Sequence, residues 1–158
     1  PVGFKYVCPE MMRHDALIGG EESGGYGFRG HIPERDGLLA ALYLLDFMLA
    51  MGKKPSELVS YLYDKVGPHY YDRVDIHLDA EQREMVAGRL AESRPKELAG
   101  ISVAQSDSFD GFRFKLADES WLLIRLSGTE PILRIYAEAS SPSQVEMLLK
   151  AGRELAAV

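Results

Sequence analysis

This sequence of 158 residues has little cysteine and a shortage of basic side chains, and both features exclude classes of function. Cys8 is the only cysteine, so no disulfide can form within the chain, and the reducing cytoplasm is the expected location. Lysine and arginine number 18 against 24 aspartate and glutamate residues, which gives a formal net charge of −6. Because nucleic acids and anionic membranes bind basic surfaces, we expect neither as a partner.

Long hydrophobic runs are also missing. The longest extends from Leu38 to Met51 and is interrupted by Asp46, so it favours a buried helix over a membrane span. The four histidines lack the spacing of metal ligands, and the start of the chain has no pattern typical of a secretory signal. The first residues are Pro1-Val2-Gly3 rather than methionine, and we expect a piece of a longer protein.

Residues 1–67 predict an α/β half-domain. Residues 4–7 indicate a strand or the end of one, residues 10–14 a short helix, and residues 16–18 a buried strand that leads into a glycine-rich loop. Apolar residues surround the next segment, which predicts a helix that is buried on most sides. The two predicted helices of this part are Asp36–Met51 and Ser56–Val66.

Gly67-Pro68 is the best linker candidate, and residues 68–158 predict an α+β domain. Asp79 and Gln82 form a capping-box signature for a helix that buries Met85, Val86 and Leu90. Alternating apolar residues indicate strands, and their short connections favour antiparallel pairing. We therefore expect an antiparallel sheet of about four strands with helices on one side. The predicted strands are 74–78, 112–116, 121–126 and 133–139, and the predicted helices are 79–92 and a last one that begins at Ser141.

Residues 19–25 form the first of two motifs that carry chemistry. They read GGEESGG and place two carboxylates and a hydroxyl among four glycines, where the backbone can turn sharply and approach a ligand closely. A carboxylate accepts hydrogen bonds from two adjacent hydroxyls at once, so this loop suits a sugar. The alternative is a flexible, solvated acidic loop.

Residues 125–131 form the second motif, RLSGTEP, which places a fixed positive charge, two hydroxyls and a glycine N–H on one loop. These groups suit an anion such as phosphate, because arginine makes bidentate contacts with phosphate oxygens. The alternative is an ordinary hairpin turn with Arg125 as a surface charge. Glu130 would repel a phosphate, so we expect it to orient an arginine or to cap the loop. Together the two motifs predict two binding loops for one sugar phosphate. We call them the sugar grip, which binds hydroxyls, and the phosphate grip, which binds the phosphate.

GGEESGG, followed by HIPERDG at residues 31–37 and then by RLSGTEP, resembles the α-D-phosphohexomutase family of phosphoglucomutases, phosphomannomutases and phosphoglucosamine mutases. Members of that family have four domains, which carry in turn a phosphoserine, an aspartate-rich Mg²⁺ loop, a GE-x-SG sugar loop and an R-x-SGT phosphate loop. This chain resembles only the back part, from within the third domain to the C-terminus. It has no match to the phosphoserine loop or to the metal loop.

The resemblance implies binding roles but neither a catalytic nucleophile nor a metal ligand in this chain. Arg35 stands where the family has a lysine, and arginine can hold phosphate but is a poor proton donor. For His31, the resemblance implies a place near the active site, and a capping or packing role is an equal alternative. The implied substrate-binding residues are Lys5, Glu21, Ser23 and Arg35, and the implied phosphate-binding residues are Arg125, Ser127, Gly128, Thr129 and Arg134.

The implied activity is the interconversion of hexose 1-phosphate and hexose 6-phosphate through a bisphosphorylated intermediate. Glu22 resembles the phosphoglucomutase branch, so we expect glucose as the hexose and glucose 1,6-bisphosphate as the intermediate. Mg²⁺ and the phosphoserine are expected in N-terminal domains of the same protein, and the 158-residue chain alone is expected to be inactive. The alternatives are a non-catalytic sugar-phosphate-binding or interaction module and a structural fragment with a disordered sugar loop.

Overall fold

The computed structural model describes residues 2–158, which separate into two compact units, residues 2–62 and residues 63–158. The division lies within a helix, shortly before the predicted linker at Gly67-Pro68.

The first unit is mainly helical and contains one short hairpin. Its elements are α1 (Phe4–Arg13), β1 (Ile18–Gly20), β2 (Tyr26–Phe28), α2 (Gly37–Met51) and α3 (Pro55–Val66), with β1 and β2 antiparallel. The strand predicted at residues 4–7 is wrong, because these residues form the first turns of α1. Phe4 and Met11 lie seven positions apart and are both buried, which is the spacing of one helix face.

Helix α2 confirms the predicted helix but not its predicted burial. Asp36 caps it, with its Oδ1 accepting from the N–H of Leu39 at 2.9 Å, and Gly52 ends it at a φ of 60°. None of its residues is buried, and Leu38 is 83% exposed. The predicted burial of Ile18 is also wrong, since this residue is 51% exposed. The physical reason is that a two-stranded sheet of three-residue strands is too small to cover an apolar helix.

No helix within residues 2–158 combines the length and the apolar character that crossing a membrane requires.

The second unit is an antiparallel sheet with two helices, which confirms the predicted fold class. The sheet has six strands in the order β3-β8-β7-β6-β5-β4, not about four. The two extra strands were missed because β4 has only two residues and β5 is largely exposed and polar, so neither has a clear apolar alternation. The elements are β3 (Tyr70–His77), α4 (Ala80–Glu92), β4 (Glu97–Leu98), β5 (Ile101–Asp107), β6 (Phe112–Leu116), β7 (Trp121–Leu126), β8 (Ile132–Ala139) and α5 (Pro142–Ala156).

One face of this sheet packs on α4 and α5 and forms the core. Ile124 of β7, Ile135 of β8 and Leu148 of α5 are completely buried. Val86 and Leu90 are the inward residues of α4, whereas Met85, predicted to be buried, is 62% exposed. Val86 and Leu90 lie one helical turn apart on a single face, and Met85 is rotated away from that face. Because side chains alternate along a strand, the polar residues of β7 and β8 lie on the opposite face of the sheet.

Two helical glycines of this unit give opposite predictions for the same substitution. A Cβ at Gly152 in α5 would stand 2.6 Å from Cγ2 of Ile135 and 3.2 Å from Cδ1 of Leu122, whereas a Cβ at Gly88 in α4 meets no atom within 4 Å. We expect Gly88→Ala to stabilise the chain by about 1 kcal/mol through helix propensity and Gly152→Ala to destabilise it by about 1–3 kcal/mol through overpacking. Urea unfolding of both variants measures the difference. A Gly152→Ala variant as stable as Gly88→Ala would contradict the close packing of α5 on the sheet.

Candidate functional site

The GGEESGG loop connects β1 to β2 as the turn of a hairpin. The N–H of Glu21 donates to the carbonyl of Gly25 at 3.0 Å, and the N–H of Gly24 donates to the carbonyl of Glu21 at 3.0 Å. Gly24 has a φ of 87°, in the left-handed region that glycine adopts without strain. These bonds close the loop and leave Ser23 exposed at its tip.

Lys5, Glu21 and Arg35 line one cavity of about 470 Å³ in the first unit. The Glu21 side chain is only 10% exposed, and Arg35 Nη1 donates to its Oε2 at 3.4 Å. A Cβ at Gly25 would stand 2.5 Å from Cδ of Arg35, so the glycine makes room for the arginine. The structure therefore brings together three of the four residues predicted to bind the sugar, while Ser23 does not line this cavity.

The first turns of α1 supply two further residues of this cavity wall that the sequence did not indicate. Phe4 and Cys8 lie one helical turn apart and both line it. The Arg35 guanidinium carbon lies 5.6 Å from the centre of the Phe4 ring, which is a cation–π contact. A strand at residues 4–7 would place these side chains differently, so the error in that prediction also hid the helical spacing of Phe4 and Cys8.

The segment at residues 31–37 is ordered by the N-terminal cap of α2. The N–H of Asp36 donates to the carbonyl of Tyr26 at 2.9 Å, and Asp36 Oδ2 lies 2.8 Å from Nε2 of His31. The N–H of Leu39 and, after it, His31 hold the pKa of Asp36 below its ordinary value. His31 thus supports the cap, which is one of its two predicted roles, and is absent from the cavity that Lys5 lines.

The RLSGTEP loop connects β7 to β8, and Ser127 orders it from within. Ser127 is 4% exposed, and its N–H donates to the carbonyl of Ile132 at 2.9 Å. Its Oγ accepts from the N–H of Thr129 at 3.4 Å and from the N–H of Glu130 at 3.2 Å. Gly128 and Thr129 are exposed at the tip. The Ser127 hydroxyl oxygen therefore holds the shape of the loop.

Arg125 and Arg134 stand directly opposite each other on β7 and β8, and each has acidic partners. Arg125 Nε donates to Asp110 Oδ1 at 3.1 Å. Arg134 Nη2 donates to Glu130 Oε2 at 2.7 Å, and its Nε lies 3.6 Å from Asp75 Oδ2. Glu130 therefore contacts an arginine, the first of its two predicted roles. These carboxylates orient the guanidinium groups and relieve the repulsion between them.

The environment of Arg134 favours its charged form. Burial acts to lower the pKa of Arg134, but interactions with Tyr136, Asp75 and Glu130 outweigh that effect and raise it. Two permanent cations beside an exposed loop tip can receive a dianion.

Three residues that contact Arg125, Ser127 or Arg134 were not found by sequence reasoning. Asp75 lies on β3, Asp110 lies between β5 and β6, and Arg83 lies on α4, where its Nη2 donates to the carbonyl of Ser127 at 2.6 Å. Asp110 and Arg83 are 15 and 44 positions from their partners in the chain, and Asp75 is farther still from Arg134. No local pattern connects residues at such separations.

The described residues 2–158 contain no group of three or more histidine, cysteine, aspartate or glutamate side chains that could hold a metal ion.

Two family models match the two parts of the chain in the order of the two motifs. Residues 1–66 match the model described as phosphoglucomutase/phosphomannomutase, alpha/beta/alpha domain III. Residues 85–155 match the model of the phosphoglucomutase/phosphomannomutase C-terminal domain. The chain belongs to the phosphoglucomutase/phosphomannomutase family. The predicted membership is therefore confirmed, and the matched part is a C-terminal portion of the family.

Relatives and solved structures agree with this membership. The chain is 32% identical to a phosphoglucomutase/phosphomannomutase of Thermococcus kodakarensis, over 98% of this chain and 31% of the relative. It is 34% identical to a phosphoglucosamine mutase of Leuconostoc mesenteroides, over 92% of this chain and 28% of the relative. A crystal structure from Thermus thermophilus, described as that of a phosphomannomutase, superposes with a TM-score of 0.76 at 36% identity, over all of this chain and 30% of the other. The chain thus spans about a third of the length of the relatives that it matches.

Titration of Asp36 tests the contacts that order residues 31–37. A carboxyl group whose pKa is lowered by folding stabilises the fold above its ordinary pKa of 3.8, and this stabilisation is lost as the pH falls through the lower folded value. We expect His31→Ala to raise the pKa of Asp36 only part of the way, because the bond from Leu39 remains. Carboxyl-carbon NMR between about pH 2 and pH 6 measures it. A return to the ordinary value in that variant would show His31 to be the main cause.

Proposed function

We propose that the protein to which this chain belongs interconverts hexose 1-phosphate and hexose 6-phosphate, with glucose as the hexose, and that this chain supplies two of the grips on the substrate. The observation that carries the proposal is the arrangement of Arg125 and Arg134, opposite each other beside the exposed tip of one short loop. Arginine, a hydroxyl and a backbone N–H on one turn form the chemistry that recognises a phosphate dianion. Family membership supports the same role.

The phosphate grip is assigned to Arg125, Arg134, Gly128 and Thr129. Ser127 belongs to it through the loop shape that its Oγ maintains, since that oxygen accepts from two loop N–H groups. The hydroxyl proton of Ser127 takes no part in those two bonds. The net charge of −6 acts only weakly at this loop, because charges more than about 8–10 Å away are largely screened at physiological ionic strength. Close to the loop, the three carboxylates of Asp75, Asp110 and Glu130 are matched in number by the guanidinium groups of Arg83, Arg125 and Arg134.

The sugar grip is assigned to Glu21, with Lys5, Arg35 and Ser23 around it. The carboxylate of Glu21 is largely shielded from water, which strengthens the hydrogen bonds that it accepts from hydroxyls. Two adjacent hydroxyls can share its two oxygens. Lys5 and Arg35 lie at the same cavity and can contact a phosphate on the bound sugar.

Both grips must serve two half-reactions. An intermediate with a phosphate at each end, such as glucose 1,6-bisphosphate, has to turn round between the two transfers. The loop at residues 125–131 then holds whichever phosphate is not reacting, and the loop at residues 19–25 accepts the sugar in either orientation. Positioning of this kind lowers a barrier by converting an encounter into a step within one complex.

The groups that perform the phosphoryl transfer are assigned to segments of the parent protein outside these 158 residues. A phosphoserine would give and retake the phosphoryl group, and Mg²⁺ held there would stabilise the transferred charge. We also assign the parent to the reducing cytoplasm, in keeping with a single cysteine.

The exposed apolar surface of α2 supports the proposal that further segments of the parent protein pack on the first unit. An alpha/beta/alpha domain encloses its sheet between helices, whereas residues 1–66 contribute a sheet of only two strands. We propose that the remainder of this domain, from the same polypeptide, covers α2. The large apolar side chains that α2 exposes are Leu38, Leu42, Tyr43, Leu44, Leu45, Phe47 and Leu49.

The 158-residue chain alone is expected to be inactive as a mutase. It has neither the phosphoserine loop nor the metal loop, so incubation of the purified chain with glucose 1-phosphate, Mg²⁺ and glucose 1,6-bisphosphate should give no glucose 6-phosphate above background. A coupled dehydrogenase assay measures the product. Magnesium-dependent turnover by the purified chain would contradict the assignment of the transfer chemistry to other segments.

Arg125→Ala is expected to weaken the binding of glucose 1,6-bisphosphate to this chain. It removes a charge-assisted contact of roughly 1.5–3 kcal/mol, about ten- to a hundredfold in affinity, with strong dependence on salt. NMR titration of the wild type and the variant measures the two dissociation constants. The matched control is Arg153→Ala on α5, which removes the same charge from an exposed site. Equal affinities of the Arg125→Ala and Arg153→Ala variants, or shifts confined to residues far from 125–134, would rule out this loop as the phosphate grip.

A further inference from the structure

We propose that Arg83 is a positioning residue that aims the N–H of Gly128 at the bound phosphate. This inference rests on the proposed phosphate role of the loop and adds a residue outside the loop to the site. Arg83 lies on α4, in neither of the motifs that indicated the function.

The contact that carries the inference is a short, charge-assisted hydrogen bond. Arg83 Nη2 donates to the carbonyl oxygen of Ser127 at 2.6 Å, and the bond is partly buried. Ser127 itself is 4% exposed, so its carbonyl has little water to compete for it. A bond from a charged donor to a neutral acceptor in such surroundings is among the stronger single hydrogen bonds of a protein.

The planarity of the peptide group turns this bond into control of the next N–H. The carbonyl of Ser127 and the N–H of Gly128 belong to one trans peptide plane, in which they point in opposite directions. When Arg83 holds the carbonyl, the N–H of Gly128 is fixed on the side of the loop away from α4. The positive charge on the carbonyl side also polarises the peptide and makes that N–H a better donor.

The neighbouring N–H groups of the loop are already turned inward. Those of Thr129 and Glu130 point at the Oγ of Ser127. Gly128 is therefore the position at the tip whose N–H direction is set by Arg83 rather than by Ser127. The loop is open around the Cα of Gly128, since a Cβ built there meets no atom within 4 Å.

The short segment that leads into α4 also holds the far end of the loop. The N–H of Leu78, which precedes the Asp79 cap of α4, donates to the carbonyl of Pro131 at 2.9 Å. The loop is thus held at Ser127 and at Pro131 by residues only five positions apart, 78 and 83. The capping box at Asp79 and Gln82 fixes the start of α4 and so the origin of both contacts.

The test compares Arg83→Met with wild type, Arg125→Ala and the control Arg89→Met, which removes an exposed arginine of the same helix. Methionine keeps much of the length of the side chain and loses the donor and the charge. NMR titration of each 158-residue variant with glucose 1,6-bisphosphate gives the affinity and, at saturation, the downfield shift of the Gly128 amide proton. We expect Arg83→Met to weaken binding about five- to tenfold and to reduce that shift, while Arg89→Met retains both.

Two readouts separate positioning from a merely structural role. If Arg83 only stabilised the fold, Arg83→Met would lower the unfolding temperature but leave the affinity of the folded chain and the saturated Gly128 shift unchanged, and the inference would be overturned. If Arg83→Met does not fold, Arg83→Gln, which is shorter and uncharged, carries the same expectations.

The two proposals fail in different ways. Loss of binding in Arg125→Ala with wild-type behaviour of Arg83→Met overturns the role of Arg83 and leaves the phosphate grip standing. Wild-type binding by Arg125→Ala removes the grip itself, and the role of Arg83 falls with it.

Discussion

The packing of the β7–β8 hairpin on α5 is the constraint on which the proposed phosphate site depends. Ile124 of β7 and Ile135 of β8 are completely buried and paired across the hairpin. Gly152 allows α5 to approach Ile135 and Leu122 closely. Since side chains alternate along a strand, burial of one face forces Arg125 and Arg134 onto the other. The register that aligns the apolar residues is the same register that places these two arginines opposite each other.

Two like charges side by side need compensation, and the neighbouring elements supply it. Asp110, Asp75 and Glu130 come from three different segments and reach the two guanidinium groups. Such partners lower the free energy of the empty site and also hold the donors in place before a ligand arrives, which reduces the ordering cost of binding. The two guanidinium groups of the proposed anion site are in this way oriented within an acidic chain.

The first unit follows a different principle, because its most apolar helix has no cover within the unit. Arg35 nevertheless contacts both Phe4 of α1 and Glu21 of the β1–β2 hairpin. Gly25 leaves room for the Arg35 side chain, and Gly27 leaves room for the Phe4 ring. The cavity at Glu21 therefore forms from local contacts. The apolar surface of α2 is in keeping with a domain of which this unit is one part.

The sequence by itself determined the family, the two loops and most of the second unit. The short, nearly all-apolar run Trp121–Leu126 and the capping box at Asp79 are local signals, which can be recognised without knowledge of the fold. The error at residues 4–7 arose because a short run of apolar and aromatic residues suits a strand or a helix equally well, and the contacts of Phe4 and Met11 decide between them. The burial of α2 was misjudged because the apolar residues of a helix indicate that some surface covers it, but not whether that surface lies within these 158 residues.

Only the tertiary structure decided how the candidate sites are held. Arg83 contacts Ser127, and Asp110 contacts Arg125. Both contacts join residues from separate elements, and the spacing of these residues in the chain does not predict either contact. The inward direction of the Ser127 oxygen is likewise a property of the folded turn. The residue types of a binding loop can be read from a short stretch of sequence. The direction of each donor depends on the elements packed around the loop, because a hydrogen bond requires both partners to be in position.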